Sequence, residues 1–308
     1  MAAGGSSTYD GQSGMEIPPD RVRIATWNCF GAPQSLEDFL SGRPFWPERL
    51  DDPAVIATLA GYDIVCIQEN LVDRVRLSLE ALQVAAGFSE LWFDPMGPCG
   101  QSKTFVGGGL AILSRFPLVG TRFVQLPRGE GPDGYARKGF ALAEVRLPSG
   151  RELYLGNTHL QADDERVGLA ACRRARGSQL EGLREGIADL LADGAPLVLC
   201  GDLNVPHGSD EYEKVARLFE PELRDLAGRA GFHTYDIERN DIAARFHEGG
   251  PAKALIDYVW TSRRWVEAKE VRVILEEPIA ELGGCPPSYA GRAFASDHYG
   301  LGVVVEVG

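Results

Sequence analysis

Apolar residues along this chain fall into short runs, each of which stops at a polar side chain. That repetition predicts strands with helices between them and a site at one edge, an α/β or α+β architecture. The run at residues 197–204, LVLCGDLN, organises the rest. Up to Cys200 it shows no polar alternation, which is how a strand buried on both faces reads. A glycine then introduces Asp202 and Asn204. In an extended backbone residues i and i+2 point the same way, so these two side chains are expected to face one point, where they suit a hard divalent cation or a phosphate. Residues 21–27 (RVRIATW) alternate into a strand that ends at Asn28, and Gly31 and Pro33 break it. Residues 62–67 (YDIVCI) form a second buried run, ending in Gln68 and Glu69. Strands are also predicted at 110–113, at 139–145, at 153–157, where Thr158 and His159 follow, and at 255–260, where Asp257 sits among apolar neighbours. A carboxylate there is costly without a partner. Asp297 and His298 head a closing strand, GLGVVVEV.

Helical spacing runs over residues 47–61, ended by Gly61, and over 72–86, where Gly87 is placed as a C-cap. A long helix is predicted at 165–192 and a shorter one at 209–219, with Ser209 as its N-cap. Residues 126–138 read as a loop, and 232–250 as an irregular polar stretch. Residues 1–20 are rich in Gly, Ser and Pro and predict a disordered tail, leaving residues 21–308 as one domain.

Composition narrows the function classes. With 308 residues, 44% of them hydrophobic, the chain can bury one large core. Its formal charge of −13 argues against sequence-independent binding to a nucleic-acid backbone, which needs clustered Lys and Arg. The six cysteines show no CxxC spacing, and three of them lie in apolar strand-like runs, as buried thiols do. No stretch approaches the ~18 apolar residues of a membrane span, and residues 1–20 have no basic and apolar leader. The expectation is a cytoplasmic protein, or a secreted one if a signal peptide has been removed ahead of this sequence.

Each polar group also has a plain structural reading. Asp and Asn are ordinary turn residues, so an Asx turn closing the strand uses the same Asp202 and Asn204. The glycine triplet 107–109 reads as a turn before a strand, because no GK[ST] or following helix accompanies it. Arg137 and Lys138 either meet a phosphate or stay solvated. Arg173, Arg174 and Arg176 read as a solvated helix face. A lone histidine at 298 reads as structural.

Taken together and in order, TWN (Asn28), QE (Glu69), THL (His159), GDLN (Asp202 and Asn204), IDY (Asp257) and SDH (Asp297 and His298) resemble the endonuclease/exonuclease/phosphatase superfamily. These are the DNase I-like, metal-dependent phosphodiesterases, and the resemblance runs from residue 21 to the C-terminus. Within that group, GPDGYARKGF (131–140) with NTHLQADD (157–164), and GDLNVPHGSDEY (201–212), are similar to the bacterial neutral sphingomyelinases. Secreted sphingomyelinases often carry cysteines before KGF and just after THLQAED, where this chain has none at 128–134 or 164–168. Their membrane-inserting hairpin ahead of SDH exposes consecutive aromatics. Here the segment 275–294 holds only Tyr289 and Phe294.

The resemblance implies a four-layer α/β/β/α sandwich of DNase I type. It also implies a Mg²⁺-dependent phosphodiesterase, with Mn²⁺ or Co²⁺ as substitutes, that releases phosphocholine from sphingomyelin or a related choline (lyso)phospholipid. Glu69 and Asn28 would hold the cation, which prefers oxygen ligands, and Asp297 would complete the metal site. His298 would be the general base, and Asp257 the carboxylate that fixes its tautomer. His159 would donate to a phosphate oxygen, Asp202 and Asn204 would position the attacking water and the phosphate, and Lys138 would bind substrate. With so few aromatics ahead of SDH, at most weak peripheral membrane contact is expected. Two alternatives stand beside this one: an intracellular nuclease or phosphatase of the same superfamily, and a non-catalytic binding module. A non-catalytic scaffold would be expected to have lost at least one of these groups.

Overall fold

The first strand, β1 (Asp20–Asn28), is buried from Ile24 onward because each of its faces meets a different layer. Val22 and Ile24 enter the core shared with a second sheet, whereas Ala25 and Trp27 enter a core beneath helices. β2 (Ile64–Gln68) repeats the division: Ile64 and Cys66 go one way, Val65 and Ile67 the other. Burial on both faces is why neither run shows polar alternation near its end. The computed structural model describes residues 18–33, 46–95, 106–228, 231–279 and 292–308. Of the tail expected over residues 1–20, residues 1–17 lie outside them, while Pro18 accepts at its carbonyl from Arg151 at 2.8 Å and Asp20 opens β1.

Numbered along the chain, β3 (Glu90–Phe93), β4 (Ala111–Ser114), β13 (Val266–Ile274) and β14 (Gly300–Val307) complete a six-stranded sheet in the order β13-β14-β1-β2-β4-β3. The second sheet has the order β5-β6-β7-β8-β12-β9, from β5 (Leu118–Gln125), β6 (Gly139–Arg146), β7 (Glu152–His159), β8 (Leu197–Asp202), β9 (Leu223–Asp225) and β12 (Asp257–Ser262). A two-stranded ladder joins β10 (Tyr235–Asp236) to β11 (Lys253–Ala254). Helices α1 (Pro53–Ala60) and α2 (Asp73–Ala86) cover the outer face of the first sheet through Val55, Leu59, Val75, Leu79 and Leu82. Helices α3 (Leu169–Gly186), α4 (Ala188–Ala192) and α5 (Asp210–Phe219) cover the second through Leu180, Leu183, Leu191, Val215 and Phe219. A short α6 (Asp241–Phe246) stands near the cleft. The result is the four-layer α/β/β/α sandwich.

Several expectations are corrected. The helix expected over 47–61 is two elements, a 3₁₀ turn (Pro47–Asp51) and α1, because the Asp52 carboxylate accepts from Ala54 N at 2.7 Å and Pro53 takes the first helical position. The helix over 165–192 starts only at Leu169 and is divided between α3 and α4. Residues 232–250 are not irregular throughout, since they contain β10 and α6, the latter capped by Asn240. Gly87 and Ser209 cap their helices as expected.

Strand direction gathers the site. β1 pairs parallel with β2, and β7 with β8, so four C-terminal strand ends lie at one pole: Asn28 beside Gln68, and His159 beside Asp202. β12 and β14 run antiparallel to these and begin at the same pole, which sets Asp257 opposite Asp202 and places His298 just ahead of β14.

Candidate active site

At Gly201 the backbone has φ 132°, and a Cβ there would lie 2.0 Å from the Thr158 carbonyl oxygen. Only glycine lets β8 approach β7 so closely before Asp202. Asn204 then leaves the extended conformation, with φ 53°, and donates its backbone N–H to Asp202 Oδ1 at 2.8 Å. The expectation that both side chains share a strand face is therefore replaced by an Asx turn, which nevertheless brings both to the same cleft.

Asp202 is the hub. Its Oδ2 accepts from Asn28 Nδ2 at 3.0 Å and lies 3.7 Å from both His159 Nε2 and His298 Nε2. His298 Nδ1 is 2.9 Å from Asp257 Oδ2, so the fully buried carboxylate in an apolar strand has its partner. Asn28 Nδ2 also donates to Glu69 Oε1 at 3.0 Å, and Asn28 Oδ1 accepts from Phe30 N at 3.0 Å. Ser296 Oγ, 3.1 Å from Asp297 Oδ1, donates to the Asn28 carbonyl at 2.7 Å and accepts from His298 N at 3.1 Å, tying the two chain segments together. Beneath them the buried Arg49 guanidinium donates to the carbonyls of Cys29, at 2.6 Å, and Ala295, at 2.8 Å.

Charge is crowded here. Burial pushes the Glu69 carboxyl up to about 7, and Asp297 adds to the rise. Burial, then the neighbouring Asp257, raises Asp202. Burial and the nearby Lys138 ammonium push His159 down to about 3, so its imidazole is neutral. Burial opposes a charged His298, but Asp257, Asp202 and Asp297 outweigh it and hold the imidazole well above its usual range.

The donors fit a hard cation. Glu69 Oε2 is buried with no hydrogen-bond partner, and carboxylate oxygens such as those of Glu69 and Asp297, which both line the cleft, are the ligand type Mg²⁺ prefers. Asn28, expected as a third ligand, turns its amide N–H toward Glu69 and Asp202 and its Oδ1 toward Phe30 N, so it steadies the carboxylates instead of presenting an oxygen. Asp202, Asp257 and His298 also lie within ligand reach of one another. A cation drawn to Asp257 Oδ2 there would compete with the hydrogen bond to His298 Nδ1, so the Glu69 side is the better seat.

The cleft, about 190 Å³, is lined by Glu69, His159, Asp202, Asn204, Asp297 and His298 among the predicted residues. Asn28 lies buried just behind it. Lys138 does not line it: its side chain is 2% exposed and pairs with Asp133, which does line it, at 2.8 Å. Arg176, expected on a solvated face, is fully buried and pairs with Asp163 and Glu211 at 2.9 and 2.7 Å. Sequence reasoning missed Phe30, Asp163, Tyr235, Phe246 and Glu248 as lining residues. The available signal was Asn240, a good N-cap, which marks a helix inside the polar stretch.

Carboxylates and histidines gathered at one strand-end pole of a four-layer sandwich define the DNase I-like class of hydrolases. Residues 25–298 match the Endonuclease/Exonuclease/phosphatase family, and the chain belongs to it. It is 24% identical to sphingomyelinase C of Leptospira interrogans over 90% of this chain and 50% of that one, so it spans about half the length of that relative. It is likewise 24% identical to phospholipase C of Staphylococcus aureus, over 75% of this chain and 70% of that one. A crystal structure of a Staphylococcus aureus beta toxin mutant with bound magnesium ions superposes with a TM-score of 0.71 at 18% identity, covering 94% of this chain and 100% of that one.

Proposed function

We propose that the chain is a Mg²⁺-dependent phosphodiesterase of sphingomyelinase type, releasing a phosphocholine-like head group from a choline (lyso)phospholipid. The observation that carries this reading is one cleft lined both by His298, paired behind it with the buried Asp257, and by a Glu69 carboxylate with an unpaired buried oxygen. A base and a cation-binding group thus face the same space. Held by Glu69 and Asp297, with Asn28 steadying Glu69, the cation would supply a Lewis acid for a phosphoryl oxygen and offset charge on the leaving alkoxide.

His298 takes the proton of the attacking water at Nε2, while Asp257 at Nδ1 fixes the tautomer and stabilises the imidazolium. The 3.7 Å between His298 Nε2 and Asp202 Oδ2 is too long for a direct hydrogen bond, which leaves both atoms available to that water. With Asp297 offset by a cation, the bias that keeps His298 protonated weakens. Neutral His159 has an N–H to donate to a phosphate oxygen, and Asn204, with one amide N–H on the Leu160 carbonyl, has a second.

The rest of the cleft supports a cationic head group. Phe30, Tyr235 and Phe246 line the cleft, aromatic rings attract quaternary ammonium, and among the described residues no Lys or Arg lines it to meet a polyanion. The names of the Leptospira and Staphylococcus relatives point the same way. The test is turnover of sphingomyelin, lysophosphatidylcholine, abasic DNA and inositol phosphates with Mg²⁺. Choline lipids should be hydrolysed, EDTA should abolish turnover, and Mg²⁺, Mn²⁺ or Co²⁺ should restore it. Turnover of DNA or inositol phosphates alone, or full activity in EDTA, would overturn the reading.

A further inference from the structure

The pole opposite the cleft carries a basic groove that phosphodiester hydrolysis leaves without a role. β12 starts at the cleft with Asp257 and runs away from it to Ser262, and β14 starts beside His298 and ends at Val307. Where these strands end, Arg151, Arg224, Arg263, Arg264 and Trp265 line a groove of about 600 Å³, together with Glu267 and Glu306. A net charge of −13 makes four arginines in one groove a local reversal of sign.

Those charges are not all neutralised by neighbours. Arg151 is held by Asp20 at 3.3 Å and by the Pro18 carbonyl at 2.8 Å. Glu267 and Glu306 are both taken by Lys269, at 2.9 and 3.0 Å. Arg224, Arg263 and Arg264 are exposed, and no ion pair within 4.0 Å joins any of them to a carboxylate of the described residues. Arg263 Nε donates to the Glu220 carbonyl at 2.8 Å, which fixes its direction. The Arg264 guanidinium lies 4.7 Å from the centre of the Trp265 ring, itself 38% exposed. Stacking of this kind orients a guanidinium while leaving its N–H edges open.

We propose that this groove binds a soluble, phosphate-bearing anion with at least two negative charges. Guanidinium forks match phosphate oxygens bidentately, and an anion relieves the mutual repulsion of three arginines that no carboxylate of the described residues pairs within 4.0 Å. The groove is concave and lies between the ends of the two sheets, so it suits a compact ligand rather than an extended polymer. A bilayer is the poorer fit, because docking this pole on lipid would turn the catalytic cleft away from its substrate.

Calorimetric titration with pyrophosphate in EDTA and low salt tests the site, with tryptophan fluorescence read alongside. Without metal, the carboxylate-lined cleft has no Lys or Arg among the described residues to hold pyrophosphate. Binding of one equivalent is expected, weakened at least ~10-fold in Arg224→Ala/Arg264→Ala by loss of two charge-assisted contacts. Trp265→Phe should bind within a few-fold of wild type but lose the fluorescence response. Arg264→Gln is the milder second variant, expected to weaken binding should the double variant fold poorly. Melting temperature without anion and Mg²⁺-dependent turnover should be unchanged in Arg264→Gln. Absence of binding, equal affinity in both arginine variants, or capture by phosphatidylserine vesicles without any pyrophosphate binding would overturn the proposal.

Discussion

Glu69 stands in the left-handed region, with φ 62°, a conformation that costs a non-glycine residue about 1–3 kcal/mol. One of its carboxylate oxygens, Oε2, is also buried and unpaired. Two unfavourable features in one residue are retained where a site requires them. Because burial lifts the folded-state carboxyl to about 7 from an ordinary 4.5, the folded protein holds this proton more tightly than the unfolded chain. Stability from this group is therefore present at acid pH and lost as pH rises from about 4.5 to about 7. A bound divalent cation requires the ionised form and returns that stability. The Mg²⁺-induced rise in melting temperature should thus be small near pH 5.5 and full near pH 8. Glu69→Gln should melt higher than wild type without metal and gain nothing from Mg²⁺. Equal Mg²⁺ shifts at both pH values, or an undiminished shift in the Gln variant, would place the cation elsewhere. For turnover, His298→Ala and Asp202→Ala should each lower kcat by at least ~10²-fold, the scale of losing a general base or an electrostatic contact. Asp257→Asn should act through His298, so adding it to His298→Ala should change little. If the double variant falls by the full factor of the Asp257 single variant, the two residues act independently and the pairing is wrong.

Arg176 of α3 joins elements that are far apart in sequence. It holds Asp163 in the loop after β7 and Glu211 on α5, and donates to the Gln161 carbonyl at 2.7 Å. Removing one partner of a buried ion pair costs about 3–5 kcal/mol, because the remaining charges stay buried. Arg176→Ala should lose most of that in urea unfolding, and should raise KM more than it lowers kcat, since Asp163 lines the cleft without touching His298. A change within about 0.5 kcal/mol, the usual range for surface sites, would make Arg176 the solvated residue that helix spacing had implied. Spacing misled there because polarity reports which residues can face water, not which charges find partners inside. Strand ends were legible for the opposite reason. A buried run interrupted by Asn28, Glu69, His159 or Asp202 has no local explanation, so each interruption points to a site. The edge strands β5 and β13 went unread because their exposed faces dilute the apolar signal. The ladder of β10 and β11 is too short to show any period. Tyr235 and Phe246, which shape the cleft, sit in or beside those short elements.

At the scale of the whole molecule, the question is how an acidic protein would meet the choline lipid proposed as its substrate. An interfacial anchor needs exposed aromatics, each burying a large area in the bilayer. In the segment ahead of SDH, residues 275–294, the only aromatics are Tyr289, which lies outside the described residues, and Phe294. Phe294 is 2% exposed and packs with Phe30, Ile242 and Tyr299 in the interior. Among the described residues, the other exposed large apolar side chains are Leu77 and Val84 on α2, Val119 on β5, Tyr135 and Trp265, and scattered apolar residues are ordinary surface. An acidic excess also repels anionic lipid, by roughly 1 kcal/mol for each charge near the surface, in analogy with the attraction of basic residues. Binding to a bilayer should therefore be weak, and turnover should depend on substrate that comes to the cleft. The expected outcome is a kcat/KM on sphingomyelin in detergent micelles well above that on sphingomyelin vesicles, with little protein sedimenting with the vesicles. Tight co-sedimentation and equal turnover on vesicles would show that some other surface reaches lipid. Tyr135 would then be the first residue to replace, because it is 55% exposed and only two positions from Asp133 on the cleft wall.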